Sequence, residues 1–297
     1  MPVTPNILIA GATGATGSAT IAALASSGHE HTALLRRRSD VTRLAAVPTT
    51  IVEGDLDDET TVAAALRGID AAYLVTPSSE RAEQQQIRFV ELAAEAGVSR
   101  IVLLSQLGAA IDSPVRFLRY HAVVEARLAE LGIPTTIIRP NLFFQGLLAM
   151  REMITHTGTL VAPIGDARVS AVDVRDIGEV AATALLDSSD ASYCHTLTGP
   201  DAITHREMAE SLAESTGSTI GFQDVDPSAF ADALQGVLPT WQIDGLLEDY
   251  AHYRRGEAAY VTDTVAAVTG HPARGFTEFA ADHAHLFRRG GSDTVPA

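Results

Sequence analysis

Asn6-Ile7-Leu8-Ile9-Ala10-Gly11-Ala12-Thr13-Gly14-Ala15-Thr16-Gly17 is the stretch whose reading decides the fold. Its apolar half predicts a short buried parallel strand. The run breaks at Gly11 into a turn of small residues, and a helix pattern follows as far as Gly28. Gly11, Gly14 and Gly17 are spaced GxxGxxG, not the GxGxxG of ordinary dinucleotide dehydrogenases. A turn without side chains lets backbone N–H groups approach a diphosphate, and the helix N-terminus adds partial positive charge. Gly17 lets the helix lie close on the strand. Alone, the three glycines could equally make a tight strand-to-helix turn and nothing more. Their context is a complete βαβ opening, because a second strand, Thr32 to Leu35, comes next. Gly11, Thr13, Gly14, Ala15, Thr16 and Gly17 are therefore candidates for holding a dinucleotide.

The second strand runs into Arg36-Arg37-Arg38. A dinucleotide fold selective for NAD places an acidic side chain here, on the ribose 2′-hydroxyl. An arginine fork instead matches a 2′-phosphate in charge and geometry. The expected cofactor is NADPH (NADP+), with Arg36 the first candidate and Arg37 the second; a solvated basic turn is the alternative. The third strand, Thr50 onward, exits through Gly54-Asp55-Leu56. Asp55 and Leu56 are placed beside the adenine, although Asp55 suits a helix cap equally well. The fourth strand, Asp70 to Val75, ends at Thr76 and Pro77, which should face the cofactor. A long helix from about Glu80 to Ala96 follows, with Ile87, Val90 and Ala94 as its packing stripe. The fifth strand, Arg100 to Ser105, brings Ser105 and Gln106 at its carboxyl end to the nicotinamide side. After a helix from about Ser113 to Leu131, Pro134 to Asn141 supplies the sixth strand. Six strands alternating with helices predict an α/β fold, a Rossmann-type doubly wound parallel sheet.

Beyond Asn141 the alternation is lost. Phe143 and Phe144 lead an apolar segment that reads either as a wall of a substrate pocket or as packing between lobes. The stretch Thr157 to Asp166 is rich in glycine and proline, Tyr193 to Leu197 is a further strand, and the rest from about Thr204 is mainly helical. The expected organisation is a nucleotide-binding domain over residues 1–140, rejoined by 172–200. A small, mostly helical carboxyl-terminal substrate lobe takes 141–171 and 201–287, and a disordered tail takes 288–297.

Composition narrows the function. The 297 residues are 46% hydrophobic and 20% charged, ordinary for a globular protein. No run approaches the roughly 20 apolar residues of a membrane span. The chain enters a strand almost at once, which leaves no room for a signal peptide. One cysteine, Cys194, cannot form an internal disulfide, so the expected setting is cytoplasmic, and Cys194 is expected as a small buried residue in a strand. A net charge of −16 argues against nucleic acid as a partner. There is no lysine: all 21 basic residues are arginine, so lysine-dependent chemistry is excluded. No metal site is read from the sequence.

These stretches together resemble the atypical short-chain dehydrogenase/reductases, specifically the NmrA-like group. The likeness rests on Gly11 to Gly17, Leu35-Arg36, Gly54-Asp55-Leu56, the His121 to Glu125 spacing and Gly132-Ile133-Pro134 with Arg139-Pro140-Asn141. It extends to Asp173-Val174-Arg175-Asp176-Ile177, Leu197-Thr198-Gly199-Pro200 and Val268-Thr269-Gly270-His271-Pro272, followed by Phe276 and Phe279. Within the group the combination is most similar to flavin-free NAD(P)H:quinone oxidoreductases. Other members bind NADP without obvious turnover and act as redox-sensing regulators, which is the alternative function. The resemblance implies a Rossmann domain plus a small carboxyl-terminal lobe, with the substrate cleft between them; Asn141 is a candidate cofactor contact, and Gln106, Phe143 and Phe144 are candidate substrate contacts.

One departure decides the expected mechanism. Ordinary short-chain dehydrogenases carry a Tyr-x-x-x-Lys pair on the helix after the fifth strand. Here that helix reads Phe117-Leu118-Arg119-Tyr120-His121-Ala122-Val123-Val124-Glu125. Alignment on Glu125 puts His121 at the lysine position and Phe117 at the tyrosine position; phenylalanine donates no proton. Tyr120 lies about 100° further round the helix. A simple carbonyl needs an acid as its alkoxide develops, whereas a quinone gives a delocalised hydroquinone anion and depends on one less. The candidate catalytic residues are His121 and Ser105. His121 bridges cofactor ribose or substrate and supplies a proton near neutral pH, or else is a helix-surface histidine. Glu125, one turn on, either orients it or is a structural partner. The expected partner is a small, flat, conjugated molecule, with a homodimer left open.

Overall fold

The alternation read from the sequence is present as strands that pair edge to edge in parallel. The computed structural model describes residues 5–44 and 47–288. The tail expected at 288–297 falls, apart from Arg288, outside the described residues. The first half contributes β1 (Ile7–Ala10), α1 (Ala15–Ser26), β2 (Thr32–Leu35), β3 (Thr50–Glu53) and α2 (Glu59–Ala65). It continues with β4 (Ala71–Leu74), α3 (Ala82–Ala96), β5 (Arg100–Leu104), α4 (Arg116–Leu131) and β6 (Thr135–Pro140). Then come α5 (Gly146–Ala149), α6 (Arg151–Thr157), β7 (Thr159–Ala162), β8 (Arg168–Val169), α7 (Val174–Leu185), β9 (Tyr193–Leu197) and β10 (Ile203–Thr204). The chain closes with α8 (His205–Thr216), β11 (Gly221–Asp224), α9 (Pro227–Leu234), α10 (Thr240–Arg254), α11 (Thr264–Thr269) and α12 (Phe276–Phe287).

The main sheet has seven strands in the order β3-β2-β1-β4-β5-β6-β9, all parallel. It is a doubly wound Rossmann-type sheet, one strand wider than the six-strand count, because β9 extends it past β6. Strand residues alternate between its faces. Leu8, Ala10, Ala72, Leu74, Ile101 and Leu103 form one core with Val62 of α2, Phe89, Val90 and Ala93 of α3, and Val124 and Leu128 of α4. The expected stripe of α3 is therefore rotated: Gln86, Phe89, Val90 and Ala93 are buried, while Ile87 only packs at its edge. On the opposite face α1 lies against α7. A Cβ on Gly178 would come 2.5 Å from the backbone carbon of Ala19, so the two helices pack at glycine distance. The order in which strands are added reverses between β1 and β4, and in open parallel sheets the carboxyl ends at such a switch point form the ligand crevice.

The chain folds as two compact units. The first holds the residues up to Asn141, Val174–Thr198 and Thr262–Ala273; the second holds Leu142–Asp173, Gly199–Val261 and the chain from Arg274. The return of Thr262–Ala273 corrects the sequence reading, which left that segment in the lobe. Thr262 donates from its backbone N–H to Thr198 Oγ1 (2.9 Å) and from its hydroxyl to the Thr196 carbonyl (2.9 Å), fastening the segment beside β9. The second unit is mostly helical, but it carries two small sheets that the sequence did not predict: β11 pairs with β7 in parallel, and β10 with β8 antiparallel.

Candidate functional site

At the end of β1 the backbone turns through Gly11 with φ +81°, a conformation that favours glycine. A Cβ there would lie 2.5 Å from the Val75 carbonyl oxygen, and one on Gly17 would lie 2.3 Å from that of Gly11. Both contacts are with backbone and cannot be relieved by a side chain moving aside. Gly14 is different. It is exposed, its N–H donates to the Gly11 carbonyl (3.0 Å), and a Cβ would meet that oxygen at 3.3 Å, tight but a whole ångström looser than at Gly17. Gly14 is also the N-cap of α1, and no side chain caps it. Gly14 and Ala15 are exposed and Thr13 is half-buried. Thr16 is buried, with its side chain toward the Tyr73 phenol, whose pKa burial pushes up. What Thr16 adds to the mouth of the turn is its backbone N–H.

β2 delivers the arginines at the neighbouring strand tip. Leu35 is buried and Arg36 is exposed, with no ion pair among the described residues. Arg37 is occupied, with Nη2 3.6 Å from Asp40 Oδ1, and Arg38 opens a short 3₁₀ turn. At the exit of β3, Asp58 caps α2, accepting from the backbone N–H groups of Thr60 (3.0 Å) and Thr61 (3.4 Å). The capping alternative for Asp55 thus falls to Asp58. Asp55 Oδ1 accepts from the Asp57 N–H (3.1 Å), and Leu56 packs partly buried against the core. Asp57 pairs with Arg81 (2.7 Å) and accepts from Gln85 (2.8 Å), which fixes this loop to α3.

The exits of β4 and β5 meet α4. Thr76 is buried and its hydroxyl accepts from Gln86 Nε2 (2.7 Å), while Pro77 is exposed. Ser78 Oγ and the Tyr120 hydroxyl lie 3.1 Å apart, and the Tyr120 ring packs on that of His121 with centroids 4.1 Å apart. Phe117 is buried. Ser105 donates to Glu125 Oε1 (2.5 Å). Glu125 in turn takes both nitrogens of an Arg139 fork, Nε at 2.9 Å and Nη2 closer still. Gln106 is half-buried beside Ser105, and Asn141 is buried, its N–H donating to the Leu197 carbonyl (3.0 Å).

Two expectations about α4 are corrected here. Glu125 does not orient His121; its oxygens are taken by Ser105 and Arg139. His121 is not a surface histidine poised near neutrality either. It is 8% exposed, its Nδ1 is buried without a hydrogen-bond partner, and burial, helped by the positive charge of Arg139, pushes its pKa down to about 3. The imidazole is neutral across the working pH range. In the sequence Arg139 stands out only as part of a family motif, and Gln86 reads as one of three surface glutamines. The available signal for Arg139 was a single cation in the otherwise uncharged strand Thr135 to Pro140, which requires a nearby carboxylate.

In the second unit Phe144 is 3% exposed and packs edge-on to Phe276 (5.1 Å) and against Phe279 (5.6 Å). Its ring is first a core element of that unit, although it also borders a small cavity with Pro200, Ile203, Glu207 and Phe276. Phe143 is half-buried and bridges to Val172. Cys194 lies in β9 as expected, but it is exposed and not buried. Asp176 and Glu179 of α7 and His271 bring their ligand atoms within 4.8 Å of one another. His271 Nε2 is hydrogen-bonded to Glu179 and its Nδ1 faces the Pro272 carbonyl at 3.0 Å, an arrangement that ties the segment after α11 to α7. No helix among the described residues is long and apolar enough to cross a membrane.

Comparison with known proteins agrees with this fold. The sequence pattern of the NmrA-like family matches residues 4–280. The chain belongs to the NmrA-like family. It is 33% identical over 282 residues to the NAD(P)H azoreductase of Xenophilus azovorans, covering 95% of this chain and 99% of that one. It is also 33% identical over 282 residues to the (4-alkanoyl-5-oxo-2,5-dihydrofuran-3-yl)methyl phosphate reductase of Streptomyces griseus, with the same shares covered. The NADPH-dependent quinone oxidoreductase QOR2 of Escherichia coli, solved in complex with NADPH, superposes with a TM-score of 0.83 at 26% identity, over 95% of this chain and 100% of that one.

Proposed function

We propose that this NmrA-like protein is an NADPH-dependent oxidoreductase that passes hydride directly to a flat, conjugated acceptor such as a quinone. The cofactor fits the residues present. The turn from Gly11 to Gly17 is held at glycine distance, and α1 opens on an exposed glycine that no side chain caps. Arg36 stands exposed and unpaired at the next strand tip. The turn and the α1 N-terminus hold the diphosphate, Arg36 the 2′-phosphate, and the β4 and β5 exits with His121 the nicotinamide end. When bound, NADPH supplies the hydride.

The observation that carries the choice of acceptor is the absence of a poised acid on α4. Phe117 has no proton to give, His121 is neutral, and the Ser105 proton is committed to Glu125. A ketone would develop an unstabilised alkoxide here. A quinone that accepts hydride becomes a delocalised hydroquinone anion, which takes its proton from water, leaving hydroquinone and NADP+. An azo or an enone acceptor meets the same requirement, and the two 33%-identical relatives, named an azoreductase and a reductase of an oxo-dihydrofuran, support that class. The single cysteine suits a cytoplasmic setting.

The test is NADPH oxidation followed with quinones, azo dyes and simple ketones. Turnover with the conjugated acceptors and none with the ketones is expected. NADPH binding without turnover on any acceptor would overturn the enzyme reading and leave a redox-sensing protein.

A further inference from the structure

Ser105 has a single hydroxyl proton, and its destination is fixed by its neighbours. Oγ lies 2.5 Å from Glu125 Oε1. Both Glu125 oxygens accept from the Arg139 guanidinium, so the carboxylate serves its neighbours as an acceptor on both sides. An ionised carboxylate only accepts, so the serine is the donor. No described residue donates to Ser105 Oγ in return. What remains on that oxygen is lone pairs, at the carboxyl end of β5 beside the switch-point crevice. A serine in this state cannot stabilise a developing oxyanion. It can only receive an N–H or an O–H.

We propose that Ser105 is an obligate hydrogen-bond acceptor toward the bound dinucleotide, kept so by Glu125 and Arg139, and that it receives an N–H of the nicotinamide carboxamide. The inference rests on the NADPH reading above. The carboxamide nitrogen donates and does not accept, so it complements an oxygen that has no proton to offer. Glu125 and Arg139 are positioning residues: they never meet the ligand, but they decide which way the serine proton points. With Ser105 4% and Glu125 8% exposed, little solvent is at hand to exchange that proton for another partner.

The experiment is direct binding by the full-length protein, without turnover, of NADP+ and of its 3-acetylpyridine analogue, in which a methyl replaces the amide NH₂. The wild-type protein is expected to bind NADP+ roughly tenfold more tightly, the value of one hydrogen bond of this kind. Ser105→Ala should bring the two affinities within about twofold by weakening NADP+ alone. Glu125→Gln should do the same, because its amide can donate to Ser105 and release the serine proton. Should Glu125→Gln fail to fold, Ser105→Ala still decides the question. Equal weakening of both dinucleotides by Ser105→Ala, or an unchanged ratio, would overturn the proposal while the NADPH reading stands. If neither dinucleotide binds the wild-type protein, the NADPH reading falls and this inference falls with it.

Discussion

Replacing Arg36 by alanine should separate the two nicotinamide cofactors. Arg36 is exposed at the end of β2 and makes no ion pair among the described residues that its removal would break. Surface changes of this kind shift stability by about 0.5 kcal/mol or less, so the variant should fold. Arg37 is drawn toward Asp40, and Arg38 begins the following turn, so neither replaces it in full. A guanidinium about 4 Å from a unit negative charge gains about 1 kcal/mol in bulk water and about 4 kcal/mol at a partly screened surface. The exposure of Arg36 favours the lower half of that range, about 2 kcal/mol, or roughly 30-fold in affinity. NADH has no 2′-phosphate and should bind Arg36→Ala within about twofold of wild type. Fluorescence titration with both cofactors at two salt concentrations measures this, and the NADPH advantage should shrink as salt rises. A loss of NADPH affinity below about threefold, or an equal loss for NADH, would refute the assignment of Arg36.

Three further outcomes follow from the same geometry. Gly14→Val should fold, because its Cβ meets only the Gly11 oxygen at 3.3 Å, yet bind no NADPH; Gly17→Ala, with 2.3 Å to the same oxygen, should lower the thermal midpoint instead, and the two phenotypes are told apart by a melting curve beside a cofactor titration. His121, with its pKa depressed to about 3, and His205, depressed to about 4 by burial, bind protons in the unfolded chain before the folded one. Their contribution to stability is complete above the unfolded value of about 6.5 and is lost as pH falls from there toward the folded values. His121→Gln should weaken this acid dependence between pH 7 and 4, and a variant that melts with the wild-type pH profile would contradict the burial argument. Phe144→Ala removes a ring packed against Phe276 and Phe279 and should destabilise the protein by about 3–5 kcal/mol in chemical denaturation.

The fold was legible because its signals are local. A run of apolar residues, a glycine spacing and a helix pattern each lie within about a dozen neighbouring residues, and the steric limits on glycine turns and strand alternation act at that range. The glycine turn, the alternation of the first six strands with helices, the arginines after Leu35 and the missing tyrosine at Phe117 could all be read in this way. The partners of Glu125 could not. From its own helix the nearest basic candidate was His121, one turn away; the register of β6 beside β5 brings Arg139 within reach instead, and Ser105 arrives from the end of β5. The protonation of His121 was equally out of sight, since it depends on how much of the imidazole is removed from water. The return of Thr262–Ala273 to the first unit rests on hydrogen bonds to residues more than sixty positions earlier in the chain. The sequence by itself determined the βαβ frame and the place for a dinucleotide. The tertiary structure decided which charges meet and which proton each group carries, because Coulomb energy and desolvation depend on distance in space and not on distance along the chain.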